Sequence, residues 1–303
     1  MKNNVVRSPF FYVGDKYKLM SQLRTLFPRE IDTYVEPFVG GGSSFLNTKA
    51  KKYILNDIDK YVIELHEYIS SFADRGDEFI QKLYEVIDYY GLSCSYRGIT
   101  APEELKRKFV KTYYSHYNKE SYLKMKIDYN TNGDLNLLYL LLIYGFNHMI
   151  RFNKAGQFNL PVGNVDFNKN VYDALKNYLD FMAVNQVKFY NMDYMSFLNS
   201  IKLNEKVYIY LDPPYLISGS EYNKYWNDVE EQRLCDYLDQ LNEKNIKFGI
   251  TNLINHKGRI NKTFLEWSQK YKNYNISSNY ISFNDNTIKS DSKEVFVTNY
   301  GCK

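Results

Sequence analysis

Asp212-Pro213-Pro214-Tyr215 is the segment of the chain best equipped for chemistry. Two successive prolines fix two φ angles and remove two backbone donors. The carbonyls of Asp212 and Pro213 therefore have no local helical partner and can face a cleft. The segment offers a carboxylate, a peptide oxygen and an aromatic face, a set that suits an exocyclic amine on a ring. Both N–H bonds can be accepted, by Asp212 and by the Pro213 carbonyl, which localises the nitrogen lone pair and makes the nitrogen a better nucleophile. The ring can stack on Tyr215, a contact worth roughly 1–3 kcal/mol per base on aromatic platforms. A second feature is Phe38-Val39-Gly40-Gly41-Gly42, where the lack of Cβ atoms lets backbone approach a ligand closely. Asp57 follows one strand later, where a carboxylate can accept hydrogen bonds from both hydroxyls of a ribose. The fingerprint G-x-G-x-x-G is absent, because Ser43 follows the three glycines directly, and a nicotinamide cofactor is disfavoured.

These residues need a sheet edge to position them, and the chain supplies the strands. Thr33 to Glu36 is a β-prone run that leads into the glycine turn, Phe45 to Ala50 reads as a helix, and Tyr53 to Asn56 reads as a second strand ending at Asp57. That is a βαβ unit with a parallel sheet. Further strands are expected at Val187–Tyr190, Val207–Leu211, Ile246–Thr251 and Glu294–Asn299. Between the last two of the parallel set, Glu230 to Asn245 carries Leu234, Tyr237, Leu238 and Leu241 at helical spacing. The expected fold is α/β, a Rossmann-like mixed sheet. Residues from about Tyr61 to Phe181 are rich in helix signals and tyrosine, with one hairpin at Arg151 to Leu160, and read as an insertion into that sheet. The expected division is 1–62 and 181–303 for the sheet domain, with 63–180 inserted.

The 303 residues carry a net charge of +4, with 44% hydrophobic, 24% charged and 17% aromatic residues, so the chain is neither disordered nor strongly polycationic. The charge is uneven. From Arg97 to Lys126 there are eight basic residues against three acidic ones, an excess larger than that of the whole chain. Such a run reads as a solvated helix face or as a phosphate-facing surface. The apolar run Leu137 to Phe146 is about half the length of a membrane span. Cys94, Cys235 and Cys302 fit no zinc spacing and no full disulfide pairing, and His66, His116, His148 and His256 form no ligand set. No metal and no membrane are expected, and a reducing, cytoplasmic setting is.

The motifs, taken in order, resemble the adenine-N6 DNA methyltransferases of the Dam type, the alpha group of amino-methyltransferases. They are Phe11 to Leu19, Glu36-Pro37-Phe38-Val39-Gly40-Gly41-Gly42, Asn56-Asp57-Ile58, Arg151 to Pro161, Asp212 to Tyr215, and Asn223-Lys224-Tyr225-Trp226. The resemblance covers nearly the whole chain and looks closest to the enzymes of T-even phages. It implies a methyltransferase fold that binds S-adenosyl-L-methionine and acts on double-stranded DNA, and it makes 63–180 a target-recognition domain. It places Tyr12 and Lys16 at the methionine and adenosine parts of the cofactor. Glu36, Phe38, Gly40 and Gly42 then line its pocket, Asp57 and Ile58 hold the ribose end, and Asp193 or Tyr194 sits beside its adenine. Asp212, Pro213, Pro214 and Tyr215 become the catalytic segment, with Asp212 also bordering the cofactor. The target adenine is flipped out of the duplex, since its N6 is unreachable inside the stack. Phe146 becomes a wedge beside the flipped base. Asn147, Met149, Asn153 and Pro161 become DNA contacts, and Arg151 a bidentate reader of guanine.

Dam-type enzymes carry a second arginine just past the hairpin for the outer guanine of GATC. The matching stretch here is Gly163-Asn164-Val165. GATC, or a relaxed or altered form of it, is the expected target. An RNA adenine methyltransferase and an inactive DNA-binding homologue are the alternatives. Restriction protection, mismatch marking and evasion of phage defence all remain open as roles.

Overall fold

The computed structural model describes residues 5–218, 226–277 and 292–301, so Asn223, Lys224, Tyr225 and Cys302 lie outside the described residues. The chain divides into two compact units. One comprises 16–39, 47–58 and 186–303 and contains the sheet; the other comprises 1–15, 40–46 and 59–185 and is mainly helical.

The sheet contains β1 (Thr33–Glu36), β2 (Lys52–Asn56), β3 (Gln186–Tyr190), β4 (Val207–Leu211), β5 (Lys247–His256), β6 (Arg259–Ile260), β7 (Lys272–Ile276) and β8 (Lys293–Thr298). Their order is β3-β2-β1-β4-β5-β8-β7, with β6 paired to the end of β5. The strands from β3 across to β5 are parallel, whereas β8 runs antiparallel to both β5 and β7. This is the mixed sheet expected from the sequence. Strand β4 sits in its middle and is buried at all five residues, which is why it reads as an unbroken apolar and aromatic run. Strand β7 was not expected. It lies at the edge, carries Lys272, Asn273 and Asn275, and is mostly exposed, so it lacks the apolar alternation that marks a strand. Val35, Ile209, Leu211, Phe248 and Ile250 pack with Leu234, Leu238 and Leu241 of the Asp228–Glu243 helix to form one core.

One expected element is corrected. Phe45 to Ala50 is not a helix; a 3-10 turn spans Phe45–Asn47 and ends there. The Tyr53 hydroxyl donates to the Thr48 carbonyl at 2.8 Å and accepts from the Ala50 amide at 2.9 Å. Those backbone groups are thus tied to the next strand, and no further helical turn forms.

The helical unit is built around Leu135–Tyr144, whose residues from Leu137 to Tyr144 are all buried. A helix that is apolar all round belongs in the middle of its neighbours. Asp134 caps its start through the Asn136 amide. The expected hairpin is short: Phe152 and Phe158 form one antiparallel bridge, and Gly156 takes the left-handed φ of +74° that its turn requires. Asn130, on the Tyr113–Asn132 helix, holds this hairpin by accepting from the Phe158 amide at 2.7 Å and donating to the Phe158 carbonyl at 3.1 Å.

Candidate active site

In the sheet unit the carboxyl ends of β1, β2, β3 and β4 share one edge, because these strands are parallel. Strand β1 leads to β2 on one side and has β4 on the other, so the crevice between the ends of β1 and β4 is the topological switch point at which open α/β sheets bind ligands. Glu36 ends β1, Asp57 follows β2, and Asp212 follows β4. Topology thus brings these three carboxylates to one edge of the sheet.

Asp212 is held on three sides. Its Oδ2 lies 2.7 Å from the Lys16 ammonium, and its Oδ1 accepts from the Thr251 hydroxyl at 2.9 Å. The Tyr215 hydroxyl lies 3.1 Å from the same Oδ1 and 2.6 Å from Glu294 Oε1. One phenolic proton cannot serve both carboxylates at once, and the shorter contact to Glu294 takes it. Lys16 Nζ also lies 4.9 Å from the centre of the Tyr215 ring. Pro213 is buried, and no described residue donates to its carbonyl. Thr251 and Glu294 did not emerge from the sequence. Strand pairing brings them in: Leu211 pairs with Ile250, which sets Thr251 beside Asp212, and Leu253 pairs with Glu294.

The other ends of the edge are tied by asparagines. Asn56 is fully buried; its Nδ2 donates to the Pro37 and Met192 carbonyls, its Oδ1 accepts from the Met192 amide, and its own carbonyl accepts from Val39. Asn191 donates to the carbonyls of Asp57 and Ile58; Asp57 is half-buried and Ile58 is 70% exposed. The Asp193 carboxylate caps the Tyr194–Ser200 helix through the Met195 and Ser196 amides. Tyr194 packs its ring 5.2 Å from that of Phe38 and donates its hydroxyl to Glu230. Glu36 is 2% exposed and accepts from the Tyr34 hydroxyl at 3.2 Å.

The glycine turn continues β1 and passes into the helical unit at Gly40. A Cβ at Gly41 would lie 2.8 Å from the Tyr12 Cβ, and one at Gly42, whose φ is +82°, would lie 2.3 Å from the Phe45 ring. Neither position accepts a side chain. Gly41 and Gly42 are thus required by the close packing of the buried Tyr12 and of Phe45 against this backbone. Ser8 donates its hydroxyl to the Gly41 carbonyl. His66 holds the Gly40 carbonyl at 2.9 Å through Nε2, and its Nδ1 lies 2.8 Å from the Tyr178 hydroxyl. A carbonyl only accepts, so Nε2 carries the proton and Nδ1 accepts from Tyr178.

Burial draws the His66 pKa down from 6.5 to about 4. The unfolded chain therefore takes up this proton at a higher pH than the folded one. The stability is present above 6.5 and is lost as pH falls through about 4, on the order of 3 kcal/mol in total. Urea unfolding between pH 4 and 7 should show this slope, and His66→Gln should remove it. An equal slope in the variant would assign it to other groups.

In the helical unit, the residues expected to meet DNA share one region. Phe146 is 49% exposed, and its amide donates to the carbonyl of the exposed Pro161. Asn147 is exposed and Met149 half-buried. The Asn153 Oδ1 accepts from the Ala155 and Gln157 amides and so shapes the hairpin turn. Arg151 is clamped across the hairpin, Nε to Asn159 Oδ1 and Nη2 to the Asn159 carbonyl, both at 2.9 Å. Asn164, within the Gly163-Asn164-Val165 stretch matched to the second family arginine, caps a helix: its Oδ1 accepts from the Tyr114 and Ser115 amides, and its Nδ2 donates to the Lys111 carbonyl. In the basic run, Arg97 pairs with Asp88 and Lys106 with Glu103. Among the described residues no carboxylate lies within ion-pair distance of Arg107, Lys108, Lys111, Lys119, Lys124 or Lys126. Among the described residues no group of His, Cys, Asp or Glu could hold a metal ion, and no helix is long and apolar enough to cross a membrane.

Comparison with known proteins bears on this geometry. Residues 12–281 match the model of the D12 class N6 adenine-specific DNA methyltransferases. The chain is 34% identical to the type II methyltransferase M.FokI of Planomicrobium okeanokoites and 32% identical to the modification methylase StsI of Streptococcus sanguinis, in each case over 98% of its own length and 43% of the relative's. The chain thus spans less than half of these two proteins. It is 28% identical to the DNA adenine methylase of Escherichia coli K12, over 90% of its length and 87% of the relative's. The chain with Asp212-Pro213-Pro214-Tyr215 at the switch point of its mixed sheet belongs to the D12 class N6 adenine-specific DNA methyltransferase family.

Proposed function

We propose that the chain methylates N6 of an adenine extruded from double-stranded DNA, with S-adenosyl-L-methionine as donor. The observation that carries this reading is the pair of acceptors at the switch point, the Asp212 carboxylate and the Pro213 carbonyl. They match the two N–H bonds of an exocyclic amine. The donor, when bound, supplies an electrophilic methyl group on a sulfonium. By their match to the family motifs, Tyr12, Lys16, Glu36, Phe38, Gly40, Gly42, Asp57, Ile58, Asp193 and Tyr194 are the residues proposed to hold it.

Asp212 and the Pro213 carbonyl accept hydrogen bonds from the two amine N–H groups, fix the nitrogen and leave its lone pair free to attack. Methylation makes the nitrogen strongly acidic, so its surplus proton departs after transfer and no strong base is needed. Tyr215, with its hydroxyl fixed by Glu294, provides the face on which the flipped base stacks. The sheet unit is then the catalytic part and the helical unit the target-recognition part. The unpaired lysines and Arg107 of the basic run face phosphates. Asn164 spends its amide on a helix cap, which favours an altered form of GATC as the target.

Treating unmethylated plasmid with the chain and cofactor, then sequencing modified adenines at single-base resolution, tests the reading. N6-methyladenine within one short word is expected. Transfer only to structured RNA, or none with cofactor bound, would overturn it. Arg151→Ala should then lower discrimination at one guanine by about tenfold or more while changing the rate on the best site less. An unchanged ratio between cognate and one-base-changed duplexes would remove Arg151 from that role.

A further inference from the structure

The helical unit contains a stack that no motif marks. The Arg7 guanidinium carbon lies 4.4 Å over the Phe11 ring, and that ring lies 5.4 Å from the ring of His148. His148 is anchored in turn, with Nδ1 3.2 Å from the Leu142 carbonyl. Phe11 is 8% exposed, whereas Arg7 is exposed. His148 ends the 3-10 turn Phe146–His148, where the chain kinks at Asn147, and it follows directly on the exposed Phe146 and Asn147.

The backbone here is strained. Phe11, Asn147 and His148 have φ of +51°, +54° and +49°, three of the five non-glycine residues with positive φ among those described. A bulky aromatic residue seldom adopts this conformation, and strain of this kind persists where the surroundings over-determine it, typically at functional sites. Its product is visible. The turn at Phe11, closed by its amide donating to the Ser8 carbonyl, brings one face of the ring under Arg7 and the ring itself against His148. Burial, with the nearby Arg7 charge as a lesser cause, lowers the His148 pKa, so the stack keeps a single cation at its exposed end.

We infer that Arg7 is a second base-reading arginine of this chain, which recognises a guanine next to the kink; this rests on the proposed action on DNA. A guanidinium held over an aromatic ring is restrained, and a restrained planar fork suits bidentate pairing with guanine O6 and N7. A phosphate contact needs only charge.

The test uses the full chain, Arg7→Ala and Arg7→Lys on duplexes in which each base pair around the target adenine is changed in turn. Relative kcat/KM is read with cofactor, and fluorescence anisotropy gives binding without it. The unsubstituted chain should prefer guanine at one position by about tenfold to a hundredfold. Both variants should flatten that preference to near unity and keep the preference that Arg151→Ala removes. Retention of the preference in Arg7→Lys, or an equal loss on every duplex in Arg7→Ala, would overturn the inference in favour of a phosphate contact. Unchanged profiles in both would overturn it in favour of a purely structural stack. Sequence-dependent binding without methyl transfer would overturn the catalytic reading alone, and the anisotropy profiles would still decide the role of Arg7.

Discussion

Asp212→Ala is expected to lower methyl transfer by about a thousandfold or more while cofactor binding stays measurable. The reasoning is local. The carboxylate supplies one of the two acceptors at the end of β4, and without it the Pro213 carbonyl alone cannot orient an amine. The same substitution leaves the Lys16 ammonium, whose side chain is 10% exposed, without the carboxylate it pairs with at 2.7 Å. Loss of this ion pair at a mostly buried ammonium destabilises, so the thermal midpoint should fall as well. Asp212→Asn separates the two effects. It keeps the volume and one acceptor oxygen, holds the Thr251 contact, and loses the charge, so transfer should fall by about ten- to a hundredfold. Labelled methyl transfer to duplex DNA, calorimetric titration with cofactor and a melting curve on both variants give the full pattern. An alanine variant with the rate of the unsubstituted chain would remove Asp212 from the chemistry.

What the sequence displayed of this site, and what it hid, follows from how far each effect reaches along the chain. Two prolines in succession constrain their own backbone, and glycines that admit no Cβ mark themselves, so Asp212 to Tyr215 and Gly40 to Gly42 are legible from local chemistry. The central strands are legible because burial on both faces makes them apolar throughout, as in Val207 to Leu211. Thr251 and Glu294 are different. Each contributes one polar side chain to Asp212 or Tyr215, and only the pairing of β5 with β4 and with β8 delivers it. Nothing within a few residues of either announces that destination. The helix expected at Phe45 to Ala50 failed for a related reason: the Tyr53 hydroxyl, from the following strand, takes the backbone groups that local propensity would assign to a helix. Asn164 shows the reverse. Its departure from the family arginine was visible in the sequence, but its use as a cap depends on the Lys111 to Ser115 backbone about fifty residues earlier.

Glu231→Ala should cost about 3–5 kcal/mol of folding stability. Glu231 is 1% exposed and accepts three hydrogen bonds: from Trp226 Nε1 at 2.5 Å, from Asn252 Nδ2 at 2.7 Å and from Asn261 Nδ2 at 2.8 Å. Alanine leaves all three donors buried without that acceptor and opens a void beneath them. Glutamine is the informative comparison. Its oxygen can still serve the two asparagines, but its amide N–H then meets the indole N–H, so about 1–3 kcal/mol should be lost. Burial is the largest influence on the Glu231 carboxyl and raises its pKa above 4.5, while Trp226, Asn261 and Asn252 draw it back. A carboxyl raised in this way contributes most below its unfolded pKa, and that contribution declines as pH rises through the folded value. Relative to Glu231→Gln, the unsubstituted chain should therefore lose part of its advantage as pH climbs through the window above 4.5. Urea midpoints of both proteins across that window read the effect directly; parallel curves would mean that Glu231 ionises as freely folded as unfolded. The consequence reaches the candidate site, because the Trp226 ring lies edge-on 5.8 Å from Phe38 and tilted 5.6 Å from Tyr194. Indole fluorescence should shift in Glu231→Ala at temperatures well below its melting point, and cofactor affinity should fall with it. A variant that lost stability but kept both signals would show that Trp226 holds its place by packing alone.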